Sequence, residues 1–162
     1  KGQSALFEVR SIAEENASRR HQHRCEVLLL EETQADLIQA TALNVAVGTR
    51  IFHSQMVHFE NDVPVQIEDR CVNAAVVPAY LHQDYTVTTP HDYLSLIAPL
   101  TEGEHIVEAV QASAKECELL HIHAHDPCLL IRRRTWSTTH IVSHARLLFP
   151  GSRYRLQGHF TS

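Results

Sequence analysis

The sequence predicts an α+β fold, a mostly antiparallel sheet with helices laid on one face. Three observations carry that expectation. Two long strand patterns meet at Glu60-Asn61-Asp62, two more meet at Ser137-Thr138-Thr139, and capped helix starts fall between the hairpins. Consecutive hairpins interrupted by helices build an antiparallel sheet, whereas a parallel one needs regular β-α alternation.

The elements follow in order. Residues 25–33 (CEVLLLEET) read as a strand, and Thr33 is expected to cap a helix over 34–43 with Asp36 in its first turn. Residues 50–59 and 63–73 form the first hairpin. Thr89-Pro90 opens a short helix, because proline suits the first helical position, and Pro99 ends it. Residues 104–112 read as a strand. Ser113 and Glu116 then make a capping box for a helix reaching about Leu120. Residues 128–136 and 141–149 form the second hairpin, and 153–160 a last strand.

Composition bounds the class. The 162 residues carry 14 Lys+Arg against 19 Asp+Glu, a formal charge of -5, with 44% hydrophobic and 20% charged residues. Those values suit one globular domain over 1–162 and exclude a disordered tail or a fibrous repeat. Mild acidity argues against this chain alone gripping a phosphate backbone. No apolar run approaches the roughly 18–20 residues that cross a bilayer, so no membrane partner is expected. The start, Lys1-Gly2-Gln3-Ser4-Ala5, has neither an initiator Met nor a signal-peptide core, and reads as the interior of a longer protein. Cys25, Cys71, Cys117 and Cys128 are widely spaced, which fits reduced thiols in a cytoplasmic protein.

Candidate chemistry is sparse. His121, His123 and His125 alternate ahead of Asp126 and would share one face of an extended segment, the arrangement a metal site requires. The bland reading is a solvated loop, since a capped helix precedes the cluster and Asp126-Pro127 marks a turn. His21 and His23 share only a loop-like spacing. There is no H-E-x-x-H, G-x-S-x-G, Walker loop or G-x-G-x-x-G, so no enzyme signature, cofactor or metal is predicted.

The hairpins say more. Gln66, Glu68 and Arg70 share one face of their strand, while Val65, Ile67 and Asp69 take the other. A two-residue turn sets His53 and Gln55 beside Arg70 and Glu68; a bulged turn instead brings Met56 and His58 onto the face of Glu68. Arg132-Arg133-Arg134 lies inside a strand, where at least one guanidinium needs a carboxylate or a ligand anion unless the strand is a solvated edge. Arg146 is a single cation in an otherwise apolar run.

Residues 52–61 and 64–73 (PVQIEDRCVN), Thr88-Thr89-Pro90, Tyr93-Leu94, Ala98-Pro99-Leu100 and residues 150–156 (PGSRYRL) together resemble the UTRA ligand-binding domain. That domain follows a winged helix in one branch of the GntR superfamily. A glutamate four residues after the hairpin proline and a G-x-R-Y near the C-terminus are general to it. Ile67-Glu68-Asp69-Arg70 and Thr89-Pro90 point to its histidine-utilisation branch. The likeness runs from about Leu6 to Phe160.

The resemblance implies a chorismate-lyase-like fold, a homodimer, and a pocket for a small-molecule effector in each protomer. The effector it implies is urocanate or a close imidazole analogue. Operator DNA would be bound only by a winged helix upstream of Lys1. Sugar-phosphate-sensing relatives carry two basic residues on the first hairpin strand where this chain has Met56 and His58. A ligand without phosphate accounts for the difference, which favours the bulged turn. Carried over by position, Glu68 faces the imidazole ring, Arg134 or Arg146 clamps the acrylate carboxylate, and Tyr93 and Tyr154 supply ring or hydroxyl contacts. His91 replaces the serine of the family's S-x-Y motif. Elements joining pocket to N-terminus, residues 6–12 and the helix after Thr89, are the expected route of the signal. Two rivals belong to other classes: a lyase-like enzyme on the same fold, and a metal-binding regulator built on residues 121–126.

Overall fold

Asn61 and Asp62 both adopt positive φ, 48° and 64°, the conformation that closes a two-residue hairpin turn. The turn joins β3 (Arg50–Glu60) to β4 (Val63–Asn73). A computed structural model describes this chain over residues 2–5, as backbone, and 22–162; the expected signal segment 6–12 and His21 lie outside the described residues.

The remaining elements are β1 (Gly2–Ala5), β2 (His23–Gln34), α1 (Leu37–Leu43), a 3-10 turn (Tyr80–His82), α2 (Pro90–Ile97), β5 (Glu102–Gln111), α3 (Ala114–Leu120), β6 (Pro127–Ser137), β7 (His140–Pro150) and β8 (Tyr154–Gln157). Among the described residues, six strands form one antiparallel sheet in the order β2-β3-β4-β7-β6-β5, and β1 pairs in parallel with β8.

The hairpin resolves the question of register. Its turn is two residues long, yet Phe59 pairs with Pro64 and His58 with Gln66, leaving Val65 as an extra residue in β4. The bulge therefore lies in the strand and not in the turn. Its effect is the one expected of a bulge: Met56 stands opposite Glu68 and Ser54 opposite Arg70. His53 falls on the other face, where its Nε2 lies 2.9 Å from Asp69 Oδ1.

Helices lie on both faces, not one. On the first, α1 buries Ala40 and Leu43 against Ile51 and Cys71, while α3 brings Leu120 onto Val57, Ile67, Leu130 and Leu148. On the second, residues 74–98 fold back over the sheet and lay Tyr80, Tyr85, Tyr93 and Leu94 on Phe52, Met56 and Val72. An alternation that buries both faces of a central strand requires a cover on each side.

The capping residues act largely as read. Thr89 accepts from the Asp92 amide with Pro90 at the first helical position, and Ser113 with Glu116 closes a capping box. The first helix differs: β2 continues through Gln34, and Asp36, not Thr33, is the cap, boxed with Gln39. The last strand is also shorter than expected, Tyr154–Gln157. All four cysteines are free and buried.

Candidate functional site

A carboxylate and a guanidinium in the middle of a sheet are costly to bury unless each is paired. Glu68 and Arg70 are 3% and 2% exposed, and both are paired. His58 Nε2 lies 2.9 Å from Glu68 Oε1, and Arg70 Nε donates to Glu68 Oε2 at 2.9 Å. Arg70 Nη1 donates to Ser143 Oγ at 2.8 Å, and Ser143 Oγ lies 3.2 Å from Thr135 Oγ1. At the other end His23 Nε2 is 2.8 Å from His58 Nδ1, with the two rings stacked at 5.1 Å. One hydrogen-bonded chain thus crosses five strands, from β2 to β6, beneath the tyrosine cover.

Its electrostatics follow from those contacts. Burial works against the Glu68 anion, but Arg70 and His58 outweigh it and hold the carboxyl down to about 2. Burial likewise works against the Arg70 cation, and Glu68 reverses the direction, raising it. His23 is lowered to about 4, by burial first and by His58 next. His91, on α2, is also lowered to about 4, by burial and then by the cations Arg70 and Arg133. Its uncharged imidazole therefore lies within the field of both arginines.

Arg133 completes the face. Register places Arg70, Ala145 and Arg133 in one cross-strand row. Two strand spacings, about 9.5 Å, separate the arginine backbones, with Ala145 of β7 between them in the row. Arg133 Nε donates to His105 Nε2 at 2.8 Å. Beside this row a cleft of about 470 Å³ opens, lined by His91, Ser95, Thr101, Gly103 and Thr135 among others. That volume falls in the range of small-molecule sites.

The structure brings four of the six expected site residues to this face: His58, Glu68, Tyr93 and Tyr154. Tyr93 is 9% exposed and packs edge-on to Tyr85, and Tyr154 stacks on Phe149 with ring centroids 3.7 Å apart. Arg134 and Arg146 are not brought there. Arg134 stands on the opposite face, where its Nη2 lies 2.8 Å from Glu104 Oε1, and it lines a separate cleft with Leu37, Ile38 and His144. Arg146 shares that face, and its Nη1 donates to Glu116 Oε2 at 2.7 Å. Neither can clamp a ligand that Glu68 holds, because the sheet lies between.

Of the run Arg132-Arg133-Arg134 it is Arg133, not the expected Arg134, that stands on this face. Its signal was parity: Ile131, Arg133 and Thr135 alternate on the strand side that pairs with Ala145 and Ser143. The His121–Asp126 stretch is a loop, with His121 in the left-handed cap of α3 and His125 at φ 72°, so its imidazoles do not line one face. Among the described residues no cluster of three metal-ligating side chains forms, and no helix is long and apolar enough to cross a membrane.

A six-stranded antiparallel sheet covered on both faces around a buried polar chain defines the class. Residues 18–155 match the UTRA domain, and the chain belongs to that family. Over its whole length it is 88% identical to the histidine utilization repressor of Klebsiella aerogenes, and it spans about two thirds of the length of such curated relatives. The crystal structure of the C-terminal domain of the histidine utilization repressor from Pseudomonas syringae pv. tomato superposes with a TM-score of 0.83 at 60% identity, covering 87% of this chain and all of that one. The effector domain of PhnF from Mycobacterium smegmatis shares the fold, with a TM-score of 0.89 at 19% identity over 99% of each chain.

Proposed function

We propose that this chain is the effector-sensing domain of a repressor of histidine-utilisation genes, and that its effector is urocanate or a close imidazole analogue. The observation that carries the reading is a buried carboxylate, Glu68, already holding an imidazole at 2.9 Å on the sheet face that also presents Arg133. An imidazole N–H donating to a carboxylate is a charge-assisted bond, selective for a ring with a proton to give. The acrylate carboxylate then falls to Arg133, whose fork matches it bidentately. This assignment takes the place of Arg134 and Arg146. Tyr93 and Tyr154 flank the ring, and His91 on α2, kept uncharged by burial and by the nearby arginines, stands beside them.

The names of the relatives support a regulator over a lyase on the same fold. On this reading operator DNA is held by a winged helix outside these residues, in a cytoplasmic homodimer. Urocanate acts by binding one dimer geometry more tightly than the other, since equal affinity shifts nothing.

Isothermal titration of the chain tests the reading, with urocanate, imidazole propionate and histidine as ligands. Saturable heat is expected for urocanate and a weaker response for histidine, whose ammonium would approach Arg133. A folded protein giving no heat at millimolar urocanate refutes the assignment.

A further inference from the structure

Both oxygens of Glu68 are already engaged, Oε1 with His58 and Oε2 with Arg70. Resting on the reading above, a second imidazole must reach the same carboxylate, and the enclosure leaves little room for it to add as an extra partner. His58 is 0% exposed, Glu68 3% and Arg70 2%. One of the two present partners has to give way.

The chemistry decides which. Arg70 is tied at two points, to Glu68 and to Ser143, and pulling it away would strand a guanidinium and a carboxylate in the protein interior. His58 offers Glu68 a ring N–H, and so does the incoming ligand. Exchanging one imidazole for another keeps the number and kind of hydrogen bonds to Glu68 unchanged. His58 also has somewhere to stay, because its other nitrogen is held by His23 at 2.8 Å. In the neutral tautomer that donates from Nε2, Nδ1 accepts from His23 Nε2–H, so the pair persists when the Glu68 contact is lost.

We propose that His58 is a built-in competitor of the effector: its imidazole holds the Glu68 oxygen that the effector's imidazole takes, and binding turns the His58 ring off Glu68. His58 thereby sets both specificity and threshold. A ligand lacking a ring N–H cannot replace what it displaces, and one that has it must still outcompete a tethered imidazole. The exchange is also felt away from the pocket, because His23 opens β2 and Gln22 beside it is anchored to Asn61 of the hairpin turn.

Calorimetry on His58→Ala and His58→Gln, with urocanate and free imidazole as probes, tests the competition. With the competitor removed, His58→Ala is expected to bind urocanate at least tenfold tighter than the parent chain, and to bind free imidazole that the parent does not take up. The double variant His58→Ala/Glu68→Ala should lose the imidazole response. His58→Gln, which still offers Glu68 an N–H, should stay near the parent. A tenfold or greater loss of urocanate affinity in His58→Ala overturns the proposal and makes His58 a direct ligand contact. If urocanate gives no heat with any form while His58→Ala still takes up imidazole through Glu68, the competition stands and the effector assignment fails. Should His58→Ala not fold, ¹⁵N histidine-ring spectra of the parent decide: His58 resonances that move on adding urocanate support displacement, and unmoved ones overturn it.

Discussion

Arg133 and Arg134 are adjacent in the chain and stand on opposite faces of the sheet. Arg133 shares its face with Glu68 and donates to His105; Arg134 is paired with Glu104 across the other surface. One residue of register therefore decides which guanidinium shares the face of Glu68.

The two arginines should separate cleanly in binding. Arg133→Ala is expected to weaken urocanate by about 1.5–3 kcal/mol, the worth of a hydrogen bond to a charged group, while Arg134→Ala leaves affinity within twofold. Titration calorimetry of the two variants beside the parent measures both. Equal losses would remove Arg133 from the site.

Glu68 should matter to stability as well as to binding. Glu68→Ala leaves Arg70 buried with only Ser143 to satisfy it, a change expected to cost about 3–5 kcal/mol. Glu68→Gln keeps an oxygen acceptor and should cost less. Urea unfolding followed by circular dichroism reads both, and an unchanged midpoint for Glu68→Ala would contradict the paired-charge account.

Much of this arrangement was legible in the sequence, and what was not has a physical reason. Residues 50–73 carried their hairpin openly, and the Gln66-Glu68-Arg70 face followed from a two-residue period. Their partners did not follow, because a bulge at Val65 shifts register without any glycine to announce it. Thr33 and Asp36 are both good caps, and the choice between them went to β3, whose pairing holds β2 extended through Gln34. The arginine run 132–134 signals that at least one guanidinium needs an anion but not which one, since parity across β6 and β7 is fixed only when the strands pair. The cover over the second face was missed because residues 74–89 contain only a single 3-10 turn and no long periodic pattern.

Acidification should destabilise the fold before Glu68 itself titrates. His23 and His91 fall from an ordinary 6.5 to about 4 in the folded chain, so between those values the unfolded chain binds protons first. Stability is therefore lost as pH drops from about 6.5 toward 4. His144, also lowered, acts the same way, whereas His53, raised by its bond to Asp69 against its burial, opposes it. Glu68, lowered from 4.5 to about 2, contributes stability that is present above 4.5 and lost on falling toward 2. Thermal melts are expected to show a Tm several degrees lower at pH 5 than at pH 7.5. A Tm that rises on acidification would contradict this balance.

Gly151 closes the corner between β7 and β8. Its amide donates to the Pro127 carbonyl at 2.8 Å, and a Cβ built there would lie 2.8 Å from that same oxygen. Gly151→Ala must push backbone apart, at a cost of about 1–3 kcal/mol. Chemical denaturation of the variant checks this, and a loss under 0.5 kcal/mol would show that the corner yields freely.

The decisive measurement is a crystal structure of the chain with urocanate bound. An imidazole nitrogen of the ligand is expected about 3 Å from Glu68 Oε1, with the carboxylate on Arg133 and the His58 ring turned away from Glu68. Urocanate seated against Arg134 or Arg146, or a Glu68–His58 contact unchanged beside the bound ligand, would contradict it.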